Sequence, residues 1–440
     1  TRLFVQMLCS KVILKSFSRS CSMALQKFRL PNRFSNDEKN VWVEFNELAA
    51  IHNPLNLGQG FPDFFPPPYI TRYLKAVSSS PNPLIHQYTR GFGHPPLINS
   101  LSKLFSGLIG REINPRTEVL VTTGAYEALF SAINGHVEQG DEVIIIEPFF
   151  DCYEPMVLAA GGIPKFLALT PYGDKSDSKN WRLNDEELTA AFNERTKMII
   201  LNTPNNPLGK VYSKSELERI AALCHKWNVL CVSDEVYEWM VYKPNHHIRI
   251  ASLPDMWNRT ITIGSAGKTF SVTGWKIGWA YGPANLMNNL YIVHQNCVYT
   301  CCTPIQEVVS QCFDKEMSCI QSEECYFTSL AADLVQKRDF MAGFLSECGM
   351  QPVLPEGGYF MIADWSPLEP RAKGLENEPD HFRDYKFAKW MTKSLKLMTI
   401  PLSAFFSNEH KSLAENYVRF CFFKKDENLQ KAADILRNWK

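Results

Sequence analysis

Four short stretches of this chain hold residue types that could do chemistry together. In "DEVYEWMVY" a carboxylate, Asp234, closes an apolar run, and a phenol, Tyr237, follows shortly after. In "SAGKTF" the amine of Lys268 sits in a turn of small residues just behind the hydroxyl of Ser265. "LNTPNNPLGKV" sets two amides, Asn202 and Asn206, on either side of a Pro-rich turn. "TTGAYEALF" runs from a strand pattern through a glycine into a helix start. That last arrangement aims unpaired backbone N–H groups at the space in front of it, where a phosphate is the natural occupant. Taken singly, each stretch has a commoner explanation. Acids at strand ends are usually caps, turn lysines are usually solvated, and Asn-Pro and Leu-Gly pairs are ordinary turns.

The elements that must position these groups follow a regular rhythm from about Glu118. "EVLVTTGA" precedes a helix over 126–136, and "DEVIIIEP" precedes another after Asp151. "KMIILNTP" precedes "SKSELERIAALCHKW", where Ser213 and Glu216 have capping-box spacing. "VLCVSDEVY", "RTITIGSAG" and "KIGWAYGP" continue the β-branched runs. Strands flanked by helices in this way predict an α/β fold with a mostly parallel sheet covered on both faces. Ligands in such sheets gather at the carboxyl ends of the strands, so Asn202, Asp234 and Ser265 are expected on one sheet edge. From about Gln336 the pattern becomes α+β, with "PEGGYFMIADW" and "YVRFCFF" as strands. The expected organisation is a leader over 1–30, an arm over 31–60, a large domain over 61–335 and a small C-terminal domain over 336–440.

Bulk composition narrows the classes. Of 440 residues 45% are hydrophobic, enough for a sizeable core. Lys plus Arg and Asp plus Glu both count 46, so there is no basic surplus for nucleic acid. No apolar run reaches the length of a membrane span. The 13 cysteines show no Cys-x-x-Cys spacing, which argues for no metal site and for a reducing compartment. Cys297, Cys301 and Cys302 are expected as buried thiols in a helical stretch. The leader contains Arg2, Lys11, Lys15, Arg19, Lys27 and Arg29 with no acid before Asp37. That composition predicts mitochondrial targeting, while Met23 as an alternative start would give a cytosolic form.

Taken together and in order, "NLGQGFPDF", "EPFFDCYEPM", "LNTPNNPLGKV", "SDEVYEWMVY", "TIGSAGKTFSVTGWKIGW" and "YVRFCF" carry a specific resemblance. The chain resembles the class I aminotransferases of the pyridoxal-phosphate (PLP) fold-type I superfamily. Within them it is similar to the kynurenine aminotransferase, glutamine transaminase K and cysteine-conjugate β-lyase group. The resemblance covers essentially everything after the leader.

It implies that Lys268 carries PLP as a Schiff base and, once released, moves a proton at the substrate Cα. Asp234 would pair with the pyridine nitrogen, and Tyr237 and Asn206 would donate to the ring's phenolic oxygen. Ser265, Lys276 and the backbone N–H groups of Ala125 and Tyr126 would hold the phosphate. Many members have arginine at the position of Lys276, and lysine brings the charge without the bidentate fork. Phe150 would stack on the ring, and Tyr88 would reach the phosphate of a neighbouring subunit, which implies a homodimer with shared sites.

Arg419, on an apolar strand, would clamp the substrate α-carboxylate with help from Asn202 and the backbone of Gly60. Trp42, Tyr126 and the neighbouring subunit's copy of Tyr299 would line the side-chain pocket. A tyrosine at position 299, where some members have phenylalanine, would bring a hydroxyl into that pocket. No second arginine of recognisable role is present for a side-chain carboxylate. The implied reaction is ping-pong transfer from kynurenine, glutamine or another aromatic or sulfur-bearing amino acid to a 2-oxo acid, with kynurenic acid arising from kynurenine. Elimination from cysteine conjugates is the rival at the same site. A PLP-binding regulator is the remote alternative, and it lacks any DNA-binding segment here.

Overall fold

Short runs of β-branched residues, buried on both faces, build the centre of the molecule. "EVIIIE" over Glu142–Glu147 is buried at every position, as a strand between two helical layers must be. The computed structural model describes residues 28, 30–34, 40–320 and 322–439. Apart from residues 28 and 30, the expected leader lies outside the described residues. Residues 40–440 form one unit, and the segment before them, with a single described 3-10 turn at Asn32–Phe34, is a separate one.

The main sheet has seven strands. They are β1 (Val119–Thr122), β2 (Glu142–Glu147), β3 (Ile163–Ala168), β4 (Thr196–Asn202), β5 (Leu230–Asp234), β6 (Thr260–Ser265) and β7 (Gly278–Tyr281). Their spatial order is β1-β7-β6-β5-β4-β2-β3, and only β7 runs antiparallel to its neighbours. The mostly parallel α/β sheet expected from the sequence is therefore present. Register brings the polar strand ends together, because Asn202 lies opposite Asp234 and Asp234 opposite Ile263, near the Ser265 end of β6.

A second sheet of four strands contains β8 (Gln351–Val353), β9 (Phe360–Asp364), β10 (Ile400–Pro401) and β11 (Tyr417–Cys421), in the order β8-β9-β11-β10. It places Arg419 opposite Ile362 on one side and Ile400 on the other. A glycine within β6 has a packing reason. A Cβ at Gly264 would lie 2.3 Å from the indole of Trp279, its partner across the ladder.

Helices supply the remaining positioning. The helix α1 (Val41–His52) starts where the Asn40 side chain accepts from the N–H groups of Trp42 and Val43. Leu55–Asn56 then pairs in parallel with Leu397–Met398. The helix α2 (Gly124–Asn134) follows β1 and begins two residues earlier than the periodicity predicts, at a glycine with φ +75°. The helix α3 (Lys214–Trp227) connects β4 to β5 behind the predicted capping box.

The cysteine trio departs from expectation. Cys301 is buried, but Cys297 and Cys302 are exposed. The helical stretch is broken there: one helix ends at Cys297 and Cys302 caps the next, Thr303–Ser318. No described helix is long and apolar enough to cross a membrane.

The Ser213 hydroxyl accepts from Glu216 N–H while the Glu216 carboxylate accepts from Ser213 N–H. Ser213→Ala is expected to cost about 1 kcal/mol and lower the thermal midpoint, with near-ultraviolet circular dichroism unchanged.

Candidate active site

The carboxyl ends of β4, β5 and β6 open on a cavity of about 300 Å³ that the second sheet closes from the other side. Among its lining residues are Asn202, Asn206, Asp234, Tyr237, Ser265 and Lys268 from the main sheet and its connections. Gly124, Ala125 and Tyr126 enter from α2, Phe150 from the end of β2, Trp42 and Gly60 from the arm, and Arg419 from β11. Lys276 completes the wall. Thirteen of the fifteen residues expected at a site from the sequence thus share one cavity. Tyr88 and Tyr299 do not: they lie exposed, edge to face with each other at 5.8 Å.

Asp234 sits at the base of the cavity, buried, where Tyr153 donates to it at 2.7 Å and the N–H of Val236 at 3.3 Å. Burial pushes its carboxyl up to about 6, against the pull of those donors. Lys268 faces the cavity, and desolvation brings its amine down to about 8 from the usual 10.5. It donates to the hydroxyl of Tyr359 at 2.6 Å and, more weakly, to the carbonyl of Gly60 at 3.4 Å. Burial also holds the Tyr237 phenol well above its ordinary range, so it remains a donor.

Arg419 is only 1% exposed, and no carboxylate pairs with it among the described residues. Its guanidinium donates to the Asn206 side-chain oxygen at 3.0 Å and to the Gly58 carbonyl at 2.8 Å, while Nε has no partner. The rings of Phe360, Phe405 and Trp42 pack around it, with centroids 4.0, 4.7 and 5.3 Å away. A cation buried this way, lacking an acid of its own, is an anion-binding group.

The amide of Asn202 is used on both ends, accepting from Asn206 N–H at 2.7 Å and donating to the Asp234 carbonyl at 3.1 Å. It braces the sheet edge, and an anion could draw only on its second amide hydrogen. Asn206 turns its oxygen to Arg419, which leaves the NH2 as its remaining donor.

The donor set fits PLP. The first turn of α2 has no side-chain cap, and a Cβ placed on Gly124 would lie 3.3 Å from Lys276 Nζ. A backbone N–H cradle beside an ammonium without a paired carboxylate among the described residues suits a phosphate. Gly278 is needed for that cradle, because a Cβ there would stand 2.4 Å from Ala125 N. Asp234, buried and lacking a directly paired cation, suits the protonated ring nitrogen, and Lys268 lines the same cavity.

Three contributors were not singled out from the sequence. Tyr153 fixes Asp234, Tyr359 meets Lys268, and Asp151 accepts from the Trp42 indole at 2.7 Å. Tyr153 and Asp151 both lie within "EPFFDCYEPM", so their stretch was visible although their partners were not.

The family model for aminotransferase class I and II matches residues 52–436. Human kynurenine–oxoglutarate transaminase 3 is 50% identical over 439 residues, covering 99% of this chain and 95% of that protein. Human kynurenine–oxoglutarate transaminase 1 is 48% identical, covering 93% and 97%. A solved Escherichia coli structure described with a methionine aminotransferase function superposes with a TM-score of 0.82 at 29% identity, covering 93% and 99%.

In cofactor-free protein, carbamylation of Lys268 by cyanate should titrate with a midpoint near 8, since only the neutral amine reacts. Mass spectrometry of the Lys268 peptide across pH measures it, and a midpoint at the ordinary lysine value would contradict the desolvated setting. Gly278→Ala should weaken PLP binding at least tenfold by displacing the Ala125 N–H, as read by fluorescence titration.

Proposed function

This chain belongs to the class I and II aminotransferases, and we propose that its amino donors are kynurenine, glutamine and other aromatic or sulfur-bearing amino acids, with a 2-oxo acid as acceptor. The observation that carries the reading is the unneutralised Arg419, buried across the cavity from Asp234 and Lys268. An amino acid places its α-carboxylate on Arg419 and so presents Cα to the Lys268 amine. PLP, when bound, would supply an aldehyde carbon to carry the amino group and an electron-withdrawing ring to stabilise the charge left at Cα.

The residues of the chain do the rest. Arg419 would fix the carboxylate through N–H groups that Gly58 and Asn206 leave free, among them its unpartnered Nε. Lys268, with a proton affinity near neutrality, would take the proton from the substrate Cα in its neutral form and would be the group that gives it back. Asp234, ionised at neutral pH, would pair with the ring nitrogen of bound PLP and favour its protonated form. Phe150, edge to face with Tyr126 at 6.3 Å, offers a ring to stack against. The second sheet covers one side of the cavity, with Phe360 and Arg419 in its wall, and lowers the water contact of the groups beneath it.

Substrate preference is supported by the wall of Trp42, Tyr126 and Phe150, and by relatives that are themselves named kynurenine–oxoglutarate transaminases. Arg419 is the sole arginine among the lining residues, which disfavours a substrate with a second carboxylate. With kynurenine the oxo-acid product would close to kynurenic acid. Elimination from cysteine conjugates begins with the same proton removal by Lys268 and differs only in a leaving group at Cβ. Release of pyruvate and ammonia without an oxo acid would measure it.

The exposed Tyr88–Tyr299 pair supports a homodimer in which each protomer lends these side chains to the other's site. The basic leader supports a mitochondrial address, with a cytosolic form from Met23.

Adding kynurenine without an oxo acid should convert the visible band of the lysine-bound cofactor into the near-ultraviolet band of its aminated form, and an oxo acid should restore it. An unchanged band would remove kynurenine from the donors. Arg419→Lys should raise the amino-acid KM at least tenfold and leave the resting spectrum intact, because the charge remains and the fork is lost.

A further inference from the structure

Tyr359 is completely buried immediately before β9 and shares no sequence stretch with Lys268, yet its hydroxyl is the nearest hydrogen-bond partner of the lysine amine. The hydroxyl has one proton, and the Gly60 carbonyl accepts it at 2.8 Å. Its lone pairs therefore face Lys268, which donates at 2.6 Å. The relay runs from amine to phenol to loop carbonyl, with the Tyr237 side chain a second hydrogen-bonding neighbour of the same phenol.

The loop end of that relay is itself built around cations. The carbonyl of Gly58 accepts from Arg419, and those of Gln59 and Phe61 accept from buried Lys424 at 3.1 and 2.8 Å. Gly60 is pressed against the relay, since a Cβ there would lie 2.4 Å from the Phe360 ring and 3.2 Å from that of Tyr359. The Tyr359 ring is locked as well, stacked on Phe423 at 5.2 Å and edge to face with Tyr237 at 5.1 Å. Neither partner of the lysine can drift.

We propose that Tyr359 is a positioning residue for Lys268: its hydroxyl oxygen takes an N–H of the lysine whenever the amine is not joined to cofactor, and ties the released amine to the Gly60 loop. The inference rests on Lys268 being the cofactor lysine. In the released state the amine is then held by one N–H at a fixed point, and its remaining valences are directed into the cavity where the substrate Cα is presented. An oxygen acceptor also favours the ammonium over the neutral amine, so Tyr359 opposes the desolvation that lowers the proton affinity of Lys268. Because the phenol donates to Gly60, the loop that contacts Arg419 and the lysine that moves the proton share one hydrogen-bond chain.

The test is cyanate carbamylation of Lys268 in the full-length chain freed of cofactor, comparing wild type, Tyr359→Phe, and protein carrying 3-fluorotyrosine at position 359. The phenylalanine variant should titrate about one unit lower, a tenfold fall in proton affinity. The fluorinated ring keeps its shape and hydroxyl but is a weaker acceptor, so it should shift the midpoint the same way by less. This second variant decides the matter should the first not fold. Midpoints equal to wild type in the folded variants would overturn the proposal, since a purely packing role for the ring leaves the titration unmoved. A parallel sample with PLP separates the two claims. Failure of PLP to protect Lys268 would refute its role as cofactor lysine, whereas the midpoints report on Tyr359 alone.

Discussion

Burying a guanidinium without a carboxylate beside it is among the costlier arrangements a fold can hold, and the cavity is organised around one. Arg419 is held by oxygens that carry only partial charge, the Gly58 carbonyl and the Asn206 amide, and by three aromatic faces. Asp151 is the nearby acid, but it is engaged with the Trp42 indole and burial pushes its carboxyl up. The positive charge is thus held in place and left unsatisfied. A substrate carboxylate would complete it, so the cost of desolvating the cation is offset by binding energy directed at one end of the ligand.

Holding that cation where it can act requires two sheets. β11 carries Arg419 on one wall, and β4, β5 and β6 end on the opposite wall with Asn202, Asp234 and Ser265. Contacts between the walls are polar as well as apolar. Buried Glu147, at the end of β2, accepts from Ser407 N–H and from the His410 ring, and Phe149 N–H donates to the Phe405 carbonyl at 2.9 Å. The arm adds the third side, with Trp42 on α1 and the loop through Gly60 pinned by Leu57 N–H on the Met398 carbonyl. One desolvated environment then acts on both signs of charge. It raises the Asp234 carboxyl to about 6 and lowers the Lys268 amine to about 8, and their mutual attraction opposes both movements. The two values bracket neutral pH, so each group lies close to the pH at which it would change state.

Much of this was legible in the chain. β-branched runs ending in Asn, Asp and Ser place those residues on one sheet edge because parallel strands expose their carboxyl ends together, and the register of β4 with β5 bears that out. The glycine turn ahead of α2 reads as an anion cradle from backbone geometry alone. Other features were not legible, since no local pattern fixes them. The exposure of Cys297 and Cys302 follows from a helix break at 298–302 that the periodicity does not mark. Asn202 bracing the strands while Asn206 meets Arg419 depends on which of two similar amides the turn delivers to the cavity.

The sequence by itself determined the α/β alternation, the residue types at the strand ends and the resemblance that joined Lys268, Asp234 and Arg419 into one mechanism. Strand propensity, turn chemistry and motif order are local properties, so they can be read from neighbours along the chain. Tertiary structure alone decided the partnerships: Tyr153 with Asp234, Asp151 with Trp42, and Tyr359 with Lys268 across two sheets. Hydrogen bonds have a reach of about 3 Å and depend on direction, so they exist only once distant segments are packed to within that tolerance. The proton affinities follow the same rule, because desolvation belongs to a cavity and has no counterpart in the unfolded chain.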